Sequence, residues 1–331
     1  MAKRAFITGI TGQDGSYLAE LLLEKGYEVH GIVRRVAIGD PSIRFWRIEH
    51  LLDRLHLHSA SMESLSSIVK VFQAVQPEEC YHLAAQSFVA DSFEDEFSTY
   101  RINVDGTHHV LSALRDFVPG CRFYFAGSSE MFGNAVSDIQ DEQTPMHPRS
   151  VYGISKLAGF HLTRHYREAY GIHASTGILY NHESPRRGKE FVTRKITDGV
   201  ARIKYGLAKT LKLGNLQARR DWGYAGDYVQ AMWLMLQQDC PDDYVVATGE
   251  SHSVEECLEI AFGEAGLRWQ EYVEQDEALM RPSEIHVLRG DASKARRALG
   301  WEPRIVPSFP MMIEWMVRAD CERYATKGVK E

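Results

Sequence analysis

The chain has 331 residues, 44% of them hydrophobic and 25% charged, a balance that excludes disorder, collagen-like repeats and coiled coil. Its 38 Lys and Arg against 45 Asp and Glu leave a net charge of -7, which favours neither nucleic acid nor an anionic membrane as a partner. No apolar run approaches the roughly 20 residues of a membrane span, and no cleavable leader follows Lys3 and Arg4, so a cytoplasmic protein is expected.

In chain order, Arg4–Thr8 reads as a first strand, followed by the glycine-rich loop Gly9-Ile10-Thr11-Gly12-Gln13-Asp14-Gly15 and a helix over Ser16–Lys25 that Gly26 stops. Further strands are expected at Glu28–Val33, Leu55–Ser59, Glu79–Leu83, Arg122–Ala126 and His173–Tyr180, with helices over Leu65–Val75, Thr99–Phe117 and Tyr152–Tyr170. This alternation is the pattern of an α/β fold, a doubly wound parallel sheet of the Rossmann type. After residue 180 the character changes. Glu183–Gly188 is a loop crowded with Pro, Arg and Gly, and Tyr244–Thr248 reads as one more strand of the same sheet. Beyond Gly249 the chain is expected to form short helices over Val254–Ala265, Ala292–Leu299 and Pro310–Tyr324. The expected organisation is a Rossmann domain of residues 1–180 plus about 216–250, and a mainly helical lobe of about 181–215 plus 251–331. That lobe caps the carboxyl ends of the strands, where open α/β sheets bind ligands.

The five cysteines, Cys80, Cys121, Cys240, Cys257 and Cys321, are scattered without a CxxC pair and read as reduced thiols. None of the 14 histidines stands in an HExxH motif, so no metal is expected. The loop from Gly9 to Gly15 carries more information. A Cβ there would block the tight turn and keep the backbone from a pyrophosphate, while the helix start behind it offers free N–H groups and a positive dipole end. Strand before and helix after make this a dinucleotide cradle. An acidic residue closing the second strand would accept the ribose 2′-hydroxyl of NAD. Arg34 and Arg35 stand there instead, and two guanidinium groups suit the 2′-phosphate of NADP.

Tyr152 and Lys156 are four apart on one helix face. A phenol takes up a proton near neutral pH only if a nearby cation lowers its pKa, a role open to Lys156. Ser128 and Glu130, at the end of the fifth strand, add a hydroxyl and a carboxylate over the same crevice. A Tyr–Lys pair in a helix after the fifth strand of such a sheet resembles the short-chain dehydrogenase/reductases. That resemblance implies that a hydroxyl is enough for a plain oxidoreductase or epimerase, while a 4,6-dehydratase also needs the carboxylate, to remove the C5 proton and to protonate the departing C6 hydroxyl.

With this constellation the chain resembles the extended short-chain dehydrogenase/reductases that act on nucleotide sugars. Ser128–Gly133, Tyr152–Lys156, Asn181–Lys195 (NHESPRRGKEFVTRK), Arg220–Gly223 (RDWG) and Arg281–Glu284 (RPSE) are similar to the GDP-mannose 4,6-dehydratases in particular, and the resemblance covers nearly the whole chain. It implies a hydro-lyase that turns GDP-mannose into GDP-4-keto-6-deoxy-D-mannose by passing hydride from C4 to NADP and back to C6. Ser128, Glu130, Tyr152 and Lys156 would be the catalytic groups. The resemblance further implies cofactor contacts at Gly9 to Gly15, Ser61, Met62, Leu83, Ala84, Ala85, Gln86, Ser87, Tyr100, Lys156, His182 and Arg187. Substrate contacts are implied at Ser87, Asn181, Arg187, Lys195, Arg220, Arg281 and Glu284, where arginine forks suit a diphosphate. A homo-oligomer, dimer or tetramer, is also implied.

Three positions depart from the family pattern. Ser128 stands where Thr is usual, keeping the hydroxyl and losing a methyl. Ser61 replaces an Asp that contacts adenine, and the loop Val36–Phe45 differs in a stretch that helps form a tetramer beside the cofactor. The competing readings are a dehydratase of a longer GDP-sugar such as a manno-heptose, a GDP-sugar 4-reductase with no need for Glu130, and a non-catalytic NADP-binding sensor. A sensor would not need Tyr152, Lys156 and Glu130 together.

Overall fold

The computed structural model describes residues 2–34, 44–135, 137–280, 285, 287–306 and 308–326. Seven parallel strands form the central sheet: β1 (Arg4–Thr8), β2 (Glu28–Val33), β3 (Leu55–Ser59), β4 (Glu79–His82), β5 (Arg122–Ala126), β6 (Ala174–Leu179) and Asp243–Val246. Asp243–Val246 pairs with β6, and the order runs on through β5, β4, β1, β2 and β3. The inner strands are buried on both faces because both faces are covered; Ala5, Phe6 and Ile7 of β1 are wholly buried, and so are the polar Glu79 of β4 and Ser175 and Thr176 of β6. The winding direction reverses between β1 and β4, which pair directly. At such a switch point the loops leaving the two carboxyl ends part and open a crevice.

Helix α1 (Gln13–Glu24) packs against a helix over Ala225–Met235, and α2 (Leu65–Val75) packs against α3 (Gly106–Phe117). α1 begins three residues earlier than its apolar pattern suggests. Gly12 is extended (φ -75°, ψ 175°) and serves as its N-cap, so Gln13, Asp14 and Gly15 form the first turn. The helix expected over Thr99–Phe117 is interrupted by a wide turn at Arg101–Asp105. Asn103 sits in that turn, and its side chain bonds the Gln86 backbone at both N–H and C=O and also Ser155 Oγ. Such widened turns let one side chain leave the helical register for a tertiary partner.

The sequence pattern missed two helices. Ala225–Met235 is buried almost all round, so it lacks the polar face that makes a helix readable. Val192–Lys204 carries Arg194 on its buried side, where the guanidinium is paired with Asp320 instead of facing water. Its apolar residues Ile196 and Val200 join Leu258, Phe262, Met312 and Ile313 in a second hydrophobic cluster, formed with helices Val254–Ala265 and Phe309–Thr326. All five cysteines are unpaired, and no helix among the described residues is long and apolar enough to cross a membrane.

Candidate active site

The glycine loop closes through Gly12 N–H, which donates to the Gly9 carbonyl at 2.9 Å. Gly9 has φ +77°, and a Cβ on it would lie 2.9 Å from Ala84 N. A Cβ on Gly15 would lie 2.3 Å from the Gly9 oxygen. Both positions therefore demand glycine, and the turn leaves the N-terminus of α1 open to a cleft of about 600 Å³. Gly9, Thr11, Gly12, Gln13, Asp14 and Gly15 line one end of it. A cradle that any Cβ would fill, backed by the positive end of a helix, fits a dinucleotide pyrophosphate.

The strand ends place most of the other expected residues on the same cleft. Arg34 follows β2, Ser61 and Met62 follow β3, and Leu83 to Ser87 follow β4; all line it. Thr8 Oγ1 accepts from both Leu83 N and Ala84 N at 3.0 Å, tying the switch point together. Two expected cofactor contacts are not among the residues that line the cleft. Ile10 is wholly buried and sits under Gly31, so it belongs to the core. Tyr100 closes a short helix over Glu96–Tyr100 just before the wide turn and is 46% exposed. Arg35 lies outside the described residues.

Ser128, Glu130, Tyr152 and Lys156 line the cleft together. Helix α4 (Val151–Tyr170) starts at Ser150, whose Oγ accepts from Gly153 N at 3.0 Å, and this cap presents Tyr152 and Lys156 in its first turns. Lys156 Nζ donates to the Ala126 carbonyl at 2.8 Å and stands 5.9 Å from the centre of the Tyr152 ring. Ser128 caps the turn that carries Glu130 and accepts from the Glu130 N–H at 3.2 Å.

The electrostatics correct one expectation. Burial pushes the Tyr152 phenol up to about 12, with the Glu130 charge adding to it and a hydrogen bond with Ser128 opposing it. Burial likewise pushes Lys156 down to about 8. The protein alone therefore holds a neutral phenol. Desolvation outweighs any help from the lysine at this distance.

Asn181, His182, Arg187 and Arg220 line the opposite wall. Arg187 pairs with Glu183 at 3.2 Å and lies over the Phe191 ring at 3.5 Å. Arg220 is buried and donates to the Ile285 carbonyl at 2.8 Å. His182 Nδ1 faces the Tyr180 carbonyl and Nε2 faces the Asp14 carboxylate, each at 2.7 Å. Both partners only accept, so the ring is an imidazolium. Burial pushes His182 down, yet the Asp14 charge and hydrogen bond together hold it above its ordinary value. Lys195 does not line the cleft; it is half-buried on the helix Val192–Lys204, in the field of Asp276. Arg281 and Glu284 lie outside the described residues. Sequence reasoning missed Phe88, Phe191, Leu213, Asn215, Trp222 and Leu279, which also line the cleft. Most are apolar, and no local motif marks an apolar wall.

The family model described as GDP-mannose 4,6 dehydratase matches residues 6–316 of the chain. GDP-mannose 4,6 dehydratase 1 of Arabidopsis thaliana is 51% identical over 332 residues, covering 97% of this chain and 90% of the relative. Among solved structures, the UDP-glucose 4-epimerase of Thermus thermophilus in complex with NAD superposes with a TM-score of 0.82 at 25% identity, covering 98% of this chain and 99% of that one. RMD from Pseudomonas aeruginosa complexed with NADPH gives 0.80 at 24% identity, covering 98% and 100%.

Proposed function

The chain belongs to the GDP-mannose 4,6-dehydratase family, and from that premise we propose how its own residues divide the work. The reaction is that of a hydro-lyase: GDP-α-D-mannose loses water and becomes GDP-4-keto-6-deoxy-D-mannose. One observation carries the assignment of roles. Ser128, Glu130, Tyr152 and Lys156 share a cleft with a glycine cradle and with Arg187 and Arg220.

A nicotinamide cofactor suits that cradle, where Gly9, Gly12 and Gly15 would admit its pyrophosphate, and it would supply the hydride acceptor for C4 of the sugar and the hydride donor for C6. The turn of Gly9 and Thr11 to Gly15 would hold its phosphates by backbone N–H groups. The cofactor is NADP, because Arg34 stands at the end of β2 on the cleft where a 2′-phosphate would be met. Arg187 and Arg220 bind the GDP diphosphate in paired hydrogen bonds. Tyr152 takes the proton of the C4 hydroxyl, and Ser128 holds the C4 oxygen. Lys156, fixed on the Ala126 carbonyl, sustains the phenolate once it forms. The C4 ketone acidifies the C5 proton. Glu130 removes that proton and delivers it to the C6 hydroxyl as it departs as water, so a single carboxylate serves as base and then as acid. Hydride addition at C6 is matched by a proton returned to C5, and the proton taken up by Tyr152 closes the balance.

The test is mass spectrometry of GDP-mannose incubated with the purified protein and no added reductant. Loss of one water with no net cofactor consumption supports the reading, and an unchanged mass despite binding overturns it. Mass spectrometry of the retained cofactor distinguishes NADP from NAD. The protein also forms a homo-oligomer. Phe97, 79% exposed, and Ile154, 48% exposed, stand on two helices that pack against each other, and they are the proposed contact surface. Sedimentation of Phe97→Glu against the unaltered protein checks this by the loss of the larger species.

A further inference from the structure

The dehydration returns its hydride to the substrate it came from, so cofactor that leaves in mid-cycle strands a keto sugar. A retaining device is useful only if it lies outside the reacting atoms. The segment from His182 to Arg186 has the right placement.

His182 and Arg187 line the cleft, while the side chains of Ser184 and Arg186 bond residues of the first turns of α1. Ser184 is wholly buried, and its hydroxyl donates to Gln13 Oε1 at 2.8 Å. Gln13 Nε2 donates to the His182 carbonyl at 3.0 Å. Arg186 Nη2 donates to Glu20 Oε1 at 2.6 Å and Nη1 to Ser16 Oγ at 3.1 Å, with the guanidinium 4.1 Å above the Tyr17 ring. Arg47 Nε donates to the Arg186 carbonyl at 2.6 Å and so fixes the segment from its far side. These bonds join groups more than 130 residues apart in the chain. They do nothing for the stability of either segment alone. Their effect is to hold the wall bearing His182 and Arg187 against the glycine cradle.

We propose that Ser184 and Arg186, through Gln13, Ser16 and Glu20, form a strap that sets how slowly the nicotinamide cofactor leaves the cradle, without taking part in the chemistry. In this proposal, a dinucleotide held at the glycine cradle leaves when the wall parts from α1. Parting breaks a buried hydroxyl–amide bond and a charged pair, both of which strengthen with burial.

This rests on the proposed placement of the cofactor in the glycine cradle, and the experiment separates the two. Holoenzyme, Ser184→Ala and Arg186→Gln are loaded with NADP, freed of excess and followed for bound cofactor over time. Turnover is then measured with saturating NADP. Both variants are expected to release cofactor at least about tenfold faster, since most single-site changes in binding appear in dissociation. Their kcat at saturating cofactor is expected to stay within about twofold, while their activity on dilution without cofactor decays. Thermal melts of the apo forms show whether a variant is folded, and if Arg186→Gln is not, Ser184→Ala decides alone. Equal release rates overturn the strap, as does a lowered kcat with unchanged release. Failure of the unaltered protein to bind any nicotinamide dinucleotide overturns the cradle itself.

Discussion

Replacing Glu130 by glutamine separates the two halves of the reaction. The substitution keeps size and shape, and the cap between the Glu130 N–H and Ser128 Oγ uses only the backbone of residue 130, so the turn Ser129–Met131 is preserved. What disappears is one group acting as base at C5 and acid at C6. Such a group contributes about 10²- to 10⁴-fold in rate, or about 3–5 kcal/mol of barrier. The Glu130 charge also helps hold the Tyr152 phenol high. Removing it eases ionisation, so C4 oxidation continues and its acidic limb moves to lower pH. With GDP-mannose and one equivalent of oxidised cofactor, the near-ultraviolet absorbance of reduced nicotinamide should rise toward one equivalent. The sugar nucleotide should lose two hydrogens and no water, and in heavy water C5 should take up no deuterium. Dehydration at an undiminished rate would refute the role given to Glu130. Loss of C4 oxidation with substrate binding intact would move Glu130 to the first step and refute the division of labour with Tyr152.

Gly15→Ala should abolish tight cofactor binding, because its Cβ would meet the Gly9 oxygen at 2.3 Å and the Ile10 backbone at 2.6 Å, neither of which can rotate away. Gly120→Ala, with open space around it, serves as the control, and both are read by cofactor titration and thermal melting. The Asp14–His182 pair should stabilise the fold most in mild acid. His182 is held above 6.5, so its contribution is complete below that pH and fades as pH rises through its folded value. Asp14 is held below 3.8, so its share is present above that pH and is lost only in stronger acid. His182→Gln should therefore lose more in denaturant stability at pH 5 than at pH 9, and an equal loss at both would refute the charged pair. The stack of His30, His56 and His58 has the opposite sign. Burial holds His30 and His58 below 6.5, so stability is lost as pH falls through that value, and His58→Gln should lessen the loss. Arg194→Met should cost about 3–5 kcal/mol in urea unfolding, since it leaves Asp320 buried with Thr197 and the half-exposed Arg323 as its remaining partners.

Much of the fold was legible because its signals are local. Strands at Arg4–Thr8, Glu28–Val33, Leu55–Ser59 and Arg122–Ala126 have the bounds the pattern predicts. A strand buried on both faces is a short apolar run with turn residues at its ends, and nothing remote is needed to see it. The glycine loop could be read for the same reason, since a positive φ at Gly9 and a crowded Gly15 are demands of a single turn. Tyr152 and Lys156 could be read because their helical spacing falls in the helix that follows the fifth strand of the sheet; the spacing alone marks any decorated helix face.

The tertiary structure alone decided other features, each of which depends on residues far apart in sequence. Arg194 lies inside a helix core because Asp320 meets it there. Asn103 leaves the helical register because Gln86 and Ser155 lie within reach. Ile10, inside the cofactor motif in sequence, packs under Gly31 in the core, and Tyr100 is half-exposed outside the cleft lining. The pKa of Tyr152 followed the same rule. Spacing put a lysine near a phenol, but burial, which belongs to the assembled cleft, decides which of the two keeps its proton. Residue identity determined the chemistry this chain can perform, and packing determined the charge state and the company in which each group performs it.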